Sequence, residues 1–349
     1  MLETKRDVRF GVIGCGNIAR AHMEALKNGE GIVCAGICDR IPEHAQKLNE
    51  EYGGDKHIFR DAEEMVKSPD IDAVILAVPN YQHEPMFLLA AEHGKHILCE
   101  KPLTMTVAQG EKMVEAAKRA GVKTQMGLCT RFEMDVEAMM DHIRAGNVGD
   151  IYLANIEILR QRGAPTGWFG HKEKSGGGPL IDIGVHYIDA AWYLMGKPRP
   201  VRCKALNYAA IANRYPKNVE IYSAYEKDDV YDVEDSSHGM ITFENGSSII
   251  YQAAWSINAQ DEEGRMDLYG AKGGLCNKKH LLIREEASGM TETTLSYTWK
   301  DCYTRQLEAF GRVVRGEEES RTPVEDGLAI QRILNGLYLS AQTGKEIEL

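Results

Sequence analysis

At 349 residues, 43% apolar and 27% charged, the chain has the composition of a folded protein with room for two domains. Its formal charge of −11 argues against nucleic acid as a partner, because a DNA or RNA binder needs clustered Lys and Arg to displace counterions. No run of about 18 apolar residues is present to cross a bilayer, so no membrane partner is expected.

The start, Met1-Leu2-Glu3-Thr4-Lys5-Arg6-Asp7, lacks the apolar core of a signal peptide, and a cytoplasmic location is the expectation. Strand-like apolar runs then alternate with helical patterns. Strands read at Val8 to Ile13, Ile32 to Cys38, Asp72 to Val78, His96 to Cys99 and Val122 to Met126. Helices read at about 17–27, from Pro42, and at about 84–93 and 106–120. Apolar strands each followed by a helix imply a parallel sheet covered on both faces, an α/β Rossmann domain over 1–128.

After residue 128 the pattern changes. A helix near Asp135–Ala145 leads to a long strand, Ile151 to Leu159, then a Gly-rich loop and a helix at about 180–195. Strands at 201–211, 236–244, 247–256 and 264–270 follow without helices between them, and Asn245-Gly246 marks a hairpin. Residues 129–349 therefore read as an α+β domain with a mainly antiparallel open sheet. Helices near 301–315 and 324–342 close the chain, the last opened by Thr322-Pro323-Val324-Glu325, a capping-box pattern. The eight cysteines (Cys15, Cys34, Cys38, Cys99, Cys129, Cys203, Cys276 and Cys302) form no CxxC pair and several sit in apolar runs. They read as reduced, small hydrophobes, and no metal site is expected.

Gly14-Cys15-Gly16-Asn17-Ile18-Ala19 is G-x-G-x-x-A between a strand and a helix. Gly14 allows the tight turn, Gly16 lets a pyrophosphate approach the backbone, and Ala19 permits close helix–strand packing. Asn17 and Ile18 open the helix whose N-terminal N–H groups face the phosphates. Asp39 ends the second strand, where a carboxylate accepts from the adenosine ribose, which favours NAD. Arg40 can stack on adenine or meet a 2′-phosphate, which keeps NADP open.

Three further stretches carry polar chemistry. Glu100-Lys101-Pro102 follows the fifth parallel strand, at the strand ends where ligands collect in this fold. Pro79-Asn80-Tyr81-Gln82-His83 follows the fourth, and Asn80 and His83 are placed to bond the nicotinamide ribose or amide; a helix cap by Asn80 is an equally ordinary reading. Gly176-Gly177-Gly178-Pro179-Leu180-Ile181-Asp182-Ile183-Gly184-Val185-His186 puts Asp182 and His186 four apart, on one face of a helix. A carboxylate there raises the imidazole pKa and orients the ring, as suits a general base. The alternative is that Asp182 caps the helix and His186 is a packed core histidine. The triple glycine suggests close passage of the backbone past another group, with the nicotinamide end the expected one.

Together the G-x-G-x-x-A at Gly14, the E-K-P at Glu100 and the G-G-G-P-L-I-D-I-G-V-H at Gly176 resemble the glucose–fructose oxidoreductase and inositol dehydrogenase family, Gfo/Idh/MocA. The resemblance extends to Ser340-Ala341-Gln342-Thr343-Gly344-Lys345. It implies an NAD(P)-dependent oxidoreductase that converts a secondary ring hydroxyl of a sugar, cyclitol or glycoside to a ketone. It further implies that Lys101 orients the reacting hydroxyl, that His186 is the general base with Asp182 as its partner, and that the Lys101–Pro102 peptide is cis. Histidine rather than tyrosine at 186 points to the inositol dehydrogenase-like branch. Some relatives instead recycle NAD within a glycoside hydrolase, oxidising, eliminating and reducing again, and the same residues suit that reading.

Ahead of the glycine run, Arg160 to Lys174 is expected to border the substrate, with Trp168 and Phe169 available to stack on a sugar ring. Arg131 is a further candidate for reaching substrate. An uncovered apolar sheet face would need a partner copy, so a homodimer or homotetramer is expected.

Overall fold

The computed structural model describes residues 6–211, 231–260 and 262–349; the Met1–Lys5 start lies outside them. The chain divides into two compact units, residues 1–129 with 300–328 and residues 130–299 with 329–349.

In the first unit the chain runs β1 (Val8–Ile13), α1 (Asn17–Asn28), β2 (Ile32–Cys38), α2 (Pro42–Glu51), β3 (His57–Ile58), α3 (Ala62–Lys67) and β4 (Ala73–Leu76). It continues with α4 (His83–Glu92), β5 (His96–Glu100), α5 (Val107–Ala120) and β6 (Thr124–Gly127). The six strands pair in the order β3-β2-β1-β4-β5-β6, all parallel, which is the doubly wound order of a dinucleotide-binding fold. Both sheet faces are covered, so β4 is buried at every position.

The second unit begins with α6 (Met134–Arg144) and β7 (Ile151–Leu159), then a short α7 (Lys172–Ser175) and α8 (Val185–Leu194). Strands β8 (Pro200–Tyr208), β9 (Ser236–Phe243), β10 (Ser248–Ala254), β11 (Glu262–Gly270), β12 (Gly273–Cys276), β13 (Leu281–Glu286) and β14 (Gly289–Thr294) follow. Then come α9 (Cys302–Val314), α10 (Val324–Thr343) and β15 (Ile347–Glu348). The nine-stranded order is β14-β13-β12-β11-β7-β10-β9-β8-β15, antiparallel throughout except for β7 beside β10. Along β7, Ala154, Ile156 and Ile158 are buried while Asn155 and Glu157 between them are less so, the period-two alternation of a sheet with one covered face. The apolar α8 packs against β7, β10 and β11.

Segment 300–328 was assigned by sequence to the C-terminal domain, yet it packs with the first unit. Its helix α9 contributes Leu307, Phe310 and Val313 to the core around Phe10, Val12 and Ile37. The segment also covers the free edge of β6. Met126 N–H donates to Thr322 O at 2.7 Å, and the Gln125 and Gln306 amides donate to each other's neighbourhood carbonyls, Gln306 O and Met126 O, at 2.7 and 2.9 Å. An edge strand needs such satisfaction. At the start of α10 the Thr322 hydroxyl donates to Met126 O at 3.0 Å, and the Val324 N–H donates to the Thr124 hydroxyl at 3.3 Å.

Candidate active site

In the first unit the chain leaves β1 through Gly14, whose φ is +95°; a Cβ there would sit 2.4 Å from the Ala77 carbonyl oxygen. Gly16 then precedes α1, and a Cβ on it would meet nothing within 4 Å. No side chain caps α1 and no acidic residue occupies its first turn, so Asn17 and Ile18 open a helix end suited to an anion. Ala19 is fully buried against the sheet. Asp39 accepts from the N–H groups of Cys15 and Ile41, both at 2.8 Å, and so ties the glycine turn to the end of β2; Arg40 beside it is exposed. An open cradle at Gly16, an uncapped helix and a carboxylate at the second strand's end fit a dinucleotide.

Beyond β4, Pro79 leads a single 3-10 turn over Asn80–Gln82 with Asn80 buried. His83 is placed otherwise than the sequence suggested. It is fully buried, with Nδ1 2.7 Å from Pro102 O and Nε2 3.0 Å from Val78 O, so it joins the loops after β4 and β5 from inside. Burial pushes its pKa below the usual imidazole value, against the pull of those carbonyls. Glu100 is also interior. Its Oε1 lies 2.8 Å from His22 Nε2 and its Oε2 accepts the Lys101 N–H at 3.1 Å, so both oxygens are engaged within the protein. Lys101 is half-buried, and the Lys101–Pro102 peptide is cis.

In the second unit the glycine run has a different purpose from the one expected. A Cβ on Gly177 would lie 2.0 Å from the Tyr338 hydroxyl oxygen, and one on Gly178 would lie 2.1 Å from Glu234 O. The glycines make room for the protein's own groups. Glu234 is buried and accepts from Gly178 N–H at 3.0 Å, Leu180 N–H at 3.4 Å and the Tyr338 hydroxyl at 2.8 Å. Burial pushes its carboxyl pKa up, opposed by those same donors.

Residues Leu180–Gly184 form a π-helical turn that runs directly into α8. Asp182 Oδ2 accepts from the Trp255 indole N–H at 3.0 Å, whereas His186 Nδ1 is buried with no hydrogen-bond partner. Asp182 therefore does not orient the imidazole through Nδ1. Trp255 is fully buried and meets Phe169 edge-on at 6.5 Å; Phe169 in turn stacks on Trp168 at 4.0 Å. The loop aromatics thus form a line ending at Asp182, with Trp168 half-buried at its outer end.

Arg131, expected to reach substrate, is fully buried and bonded twice to Asp189, at 2.8 and 2.6 Å, beneath Tyr193. A guanidinium out of water needs such a partner, and the pair belongs to the interior. Residues that sequence did not single out, namely His22, Glu234, Trp255 and Tyr338, all act through partners distant in the chain. Burial holds the Cys34 thiol at about 11 and those of Cys38 and Cys203 at about 12, which makes them poor nucleophiles. Among the described residues no group of three or more His, Cys, Asp or Glu is arranged to hold a metal, and no helix is long and apolar enough to cross a membrane.

Residues 8–128 match the Gfo/Idh/MocA model described as an oxidoreductase family, NAD-binding Rossmann fold, and residues 141–349 match its C-terminal alpha/beta domain. The chain is 30% identical to the D-glucoside 3-dehydrogenase of Escherichia coli over 99% of both chains. It is 24% identical to the myo-inositol 2-dehydrogenase of Thermotoga maritima over 92% of both. The crystal structure of the aldose–aldose oxidoreductase of Caulobacter crescentus with glycerol superposes with a TM-score of 0.83 at 25% identity, over 99% of this chain and 100% of that one.

Proposed function

The chain belongs to the Gfo/Idh/MocA family of NAD-dependent oxidoreductases acting on CH–OH groups, and from that premise we propose that it oxidises a secondary ring hydroxyl of a D-glucoside. One observation carries the choice of substrate: the match to a D-glucoside 3-dehydrogenase runs the full length of both chains, both domains included.

Gly14, Gly16, Asn17 and Ile18 would hold the pyrophosphate, Asp39 and Arg40 the adenosine end, and Pro79 and Asn80 the nicotinamide end. NAD, when bound, supplies the hydride acceptor. His186 is the general base. Its ring is half-buried and its Nδ1 makes no hydrogen bond to the protein, so the ring is held by packing rather than by a carboxylate. Lys101 is the cation that stabilises the developing alkoxide. Asp182, fixed by Trp255, accepts from a substrate hydroxyl, and Trp168 offers a sugar its flat face. A homo-oligomer through the uncovered face of the nine-stranded sheet is part of the same proposal, since Leu206, Met240, Ile250 and Tyr269 stand exposed there on β8, β9, β10 and β11.

The test is a spectrophotometric assay with NAD⁺ and a panel of alkyl and aryl D-glucosides, free aldoses and inositols. The expected result is reduced cofactor with glucosides and its loss by about 10²- to 10⁴-fold in His186→Ala. No reduction with any sugar or cyclitol would overturn the proposal. Glycoside cleavage by protein that carries its own NAD, without net reduction, would replace it with the recycling hydrolase.

A further inference from the structure

Glu100 sits where no solvent-facing role explains it. Its side chain is buried beside His22, which is itself fully buried. His22 Nδ1 has no partner, so the tautomer that leaves no donor unpaired carries its proton on Nε2, aimed at Glu100 Oε1 2.8 Å away. The second oxygen accepts the backbone N–H of Lys101 at 3.1 Å. An acceptor facing two donors is what an ionised carboxylate provides. Space for it is made by Gly127 on β6: a Cβ there would lie 2.7 Å from the carboxyl carbon and from Oε2. Tyr303 closes the other side of the His22 ring, edge-on at 5.6 Å.

Three separate elements thus converge on one carboxylate, which grips the main chain of the residue next to it. We propose that Glu100 is a positioning residue for Lys101, with His22 and Gly127 holding it in place. It fixes the backbone from which the lysine projects. This rests on the role of Lys101 proposed above. The sequence context of Glu100, at a strand end where ligands collect, makes it a candidate for binding the cofactor; the role proposed here is an interior one instead.

The experiment is a double-mutant cycle of Glu100→Gln and Lys101→Ala, read as kcat and KM with a D-glucoside and as NADH affinity by fluorescence titration. Glutamine keeps the shape and one acceptor but removes the charge. The expected result for Glu100→Gln is a kcat lower by about 10- to 100-fold, with KM and NADH affinity nearly unchanged. In the Lys101→Ala background the same change should cost nothing further, because a residue acting through lysine has nothing left to act on. A structural role would instead lower kcat alike in both backgrounds, and that result, or full kcat in Glu100→Gln, overturns the inference. Full turnover in Lys101→Ala overturns the reading of Lys101 itself, which is a separate outcome. Should Glu100→Gln fail to fold, Gly127→Ala displaces the carboxylate without removing it and is read in the same cycle, with the same expectations.

Discussion

Replacing Gly178 by alanine tests whether the glycine run is a packing device that sets the catalytic stretch. The new Cβ would stand 2.1 Å from Glu234 O, a backbone atom, where a carbon and an oxygen need more than 3.0 Å. Glu234 cannot withdraw, because its carboxylate is buried under Gly178, Leu180 and Tyr338. The next carbonyl, Asp235 O, is held by the N–H groups of Trp255 and Ser256. The glycine segment must give way by about 1 Å, and it leads directly into Asp182 and His186; a displacement of that size costs on the order of 10²-fold in turnover. Overpacking should also destabilise the protein by about 1–3 kcal/mol. Steady-state kinetics with a D-glucoside, a urea titration and NADH binding separate the effects: turnover falls, stability falls modestly, and cofactor affinity stays. Turnover within threefold of wild type in folded Gly178→Ala would refute the reasoning.

Three other outcomes follow from the structure. Gly14→Ala meets both a φ of +95° and a carbonyl at 2.4 Å, so NADH affinity measured by fluorescence should fall about tenfold or more; unchanged affinity would contradict the assignment of this turn. Asp189→Ala leaves the Arg131 guanidinium buried without its carboxylate and should cost about 3–5 kcal/mol in urea unfolding, whereas Arg131→Met with Asp189→Leu should recover most of it. His83 is neutral when folded because burial lowers its pKa, while the unfolded chain takes up a proton below about pH 6.5. Its contribution is therefore flat above that pH and becomes destabilising as pH falls, by up to about 1.4 kcal/mol per pH unit. Wild type should lose stability faster than His83→Gln between pH 6.5 and 5, and parallel curves would exclude it.

The nucleotide end of the molecule was legible because its signals are local. Strand, glycine turn, helix and acid lie within residues 8–39, and each makes its structure with near neighbours. The alternation along β7 and the Asn245-Gly246 hairpin were legible for the same reason; Gly246 has φ +83° and β9 pairs with β10 around it. What escaped is what the tertiary fold supplies. His22 and Glu100 are 78 residues apart, and Glu234 and Tyr338 are 104 apart, so no window of sequence shows either pair. The π-helical turn at Leu180–Gly184 and the Trp255 indole that bonds Asp182 have no mark in the local spacing. Segment 300–328 reads as ordinary helix and turn, and its packing into the first unit's core and along the β6 edge is made with residues far away in the chain. Strands β12 to β14 are short and rich in Gly, Thr and Glu, with little apolar alternation to betray them.

The most direct test of oxidation at a secondary ring carbon uses methyl D-glucoside deuterated at C2, C3 and C4. Incubation with NAD⁺ should transfer deuterium from one of these carbons to the reduced cofactor, detectable by mass spectrometry, and should slow turnover relative to the protiated sugar. Reduced cofactor without deuterium, or product that keeps all of the label on the sugar, would contradict hydride removal from these carbons.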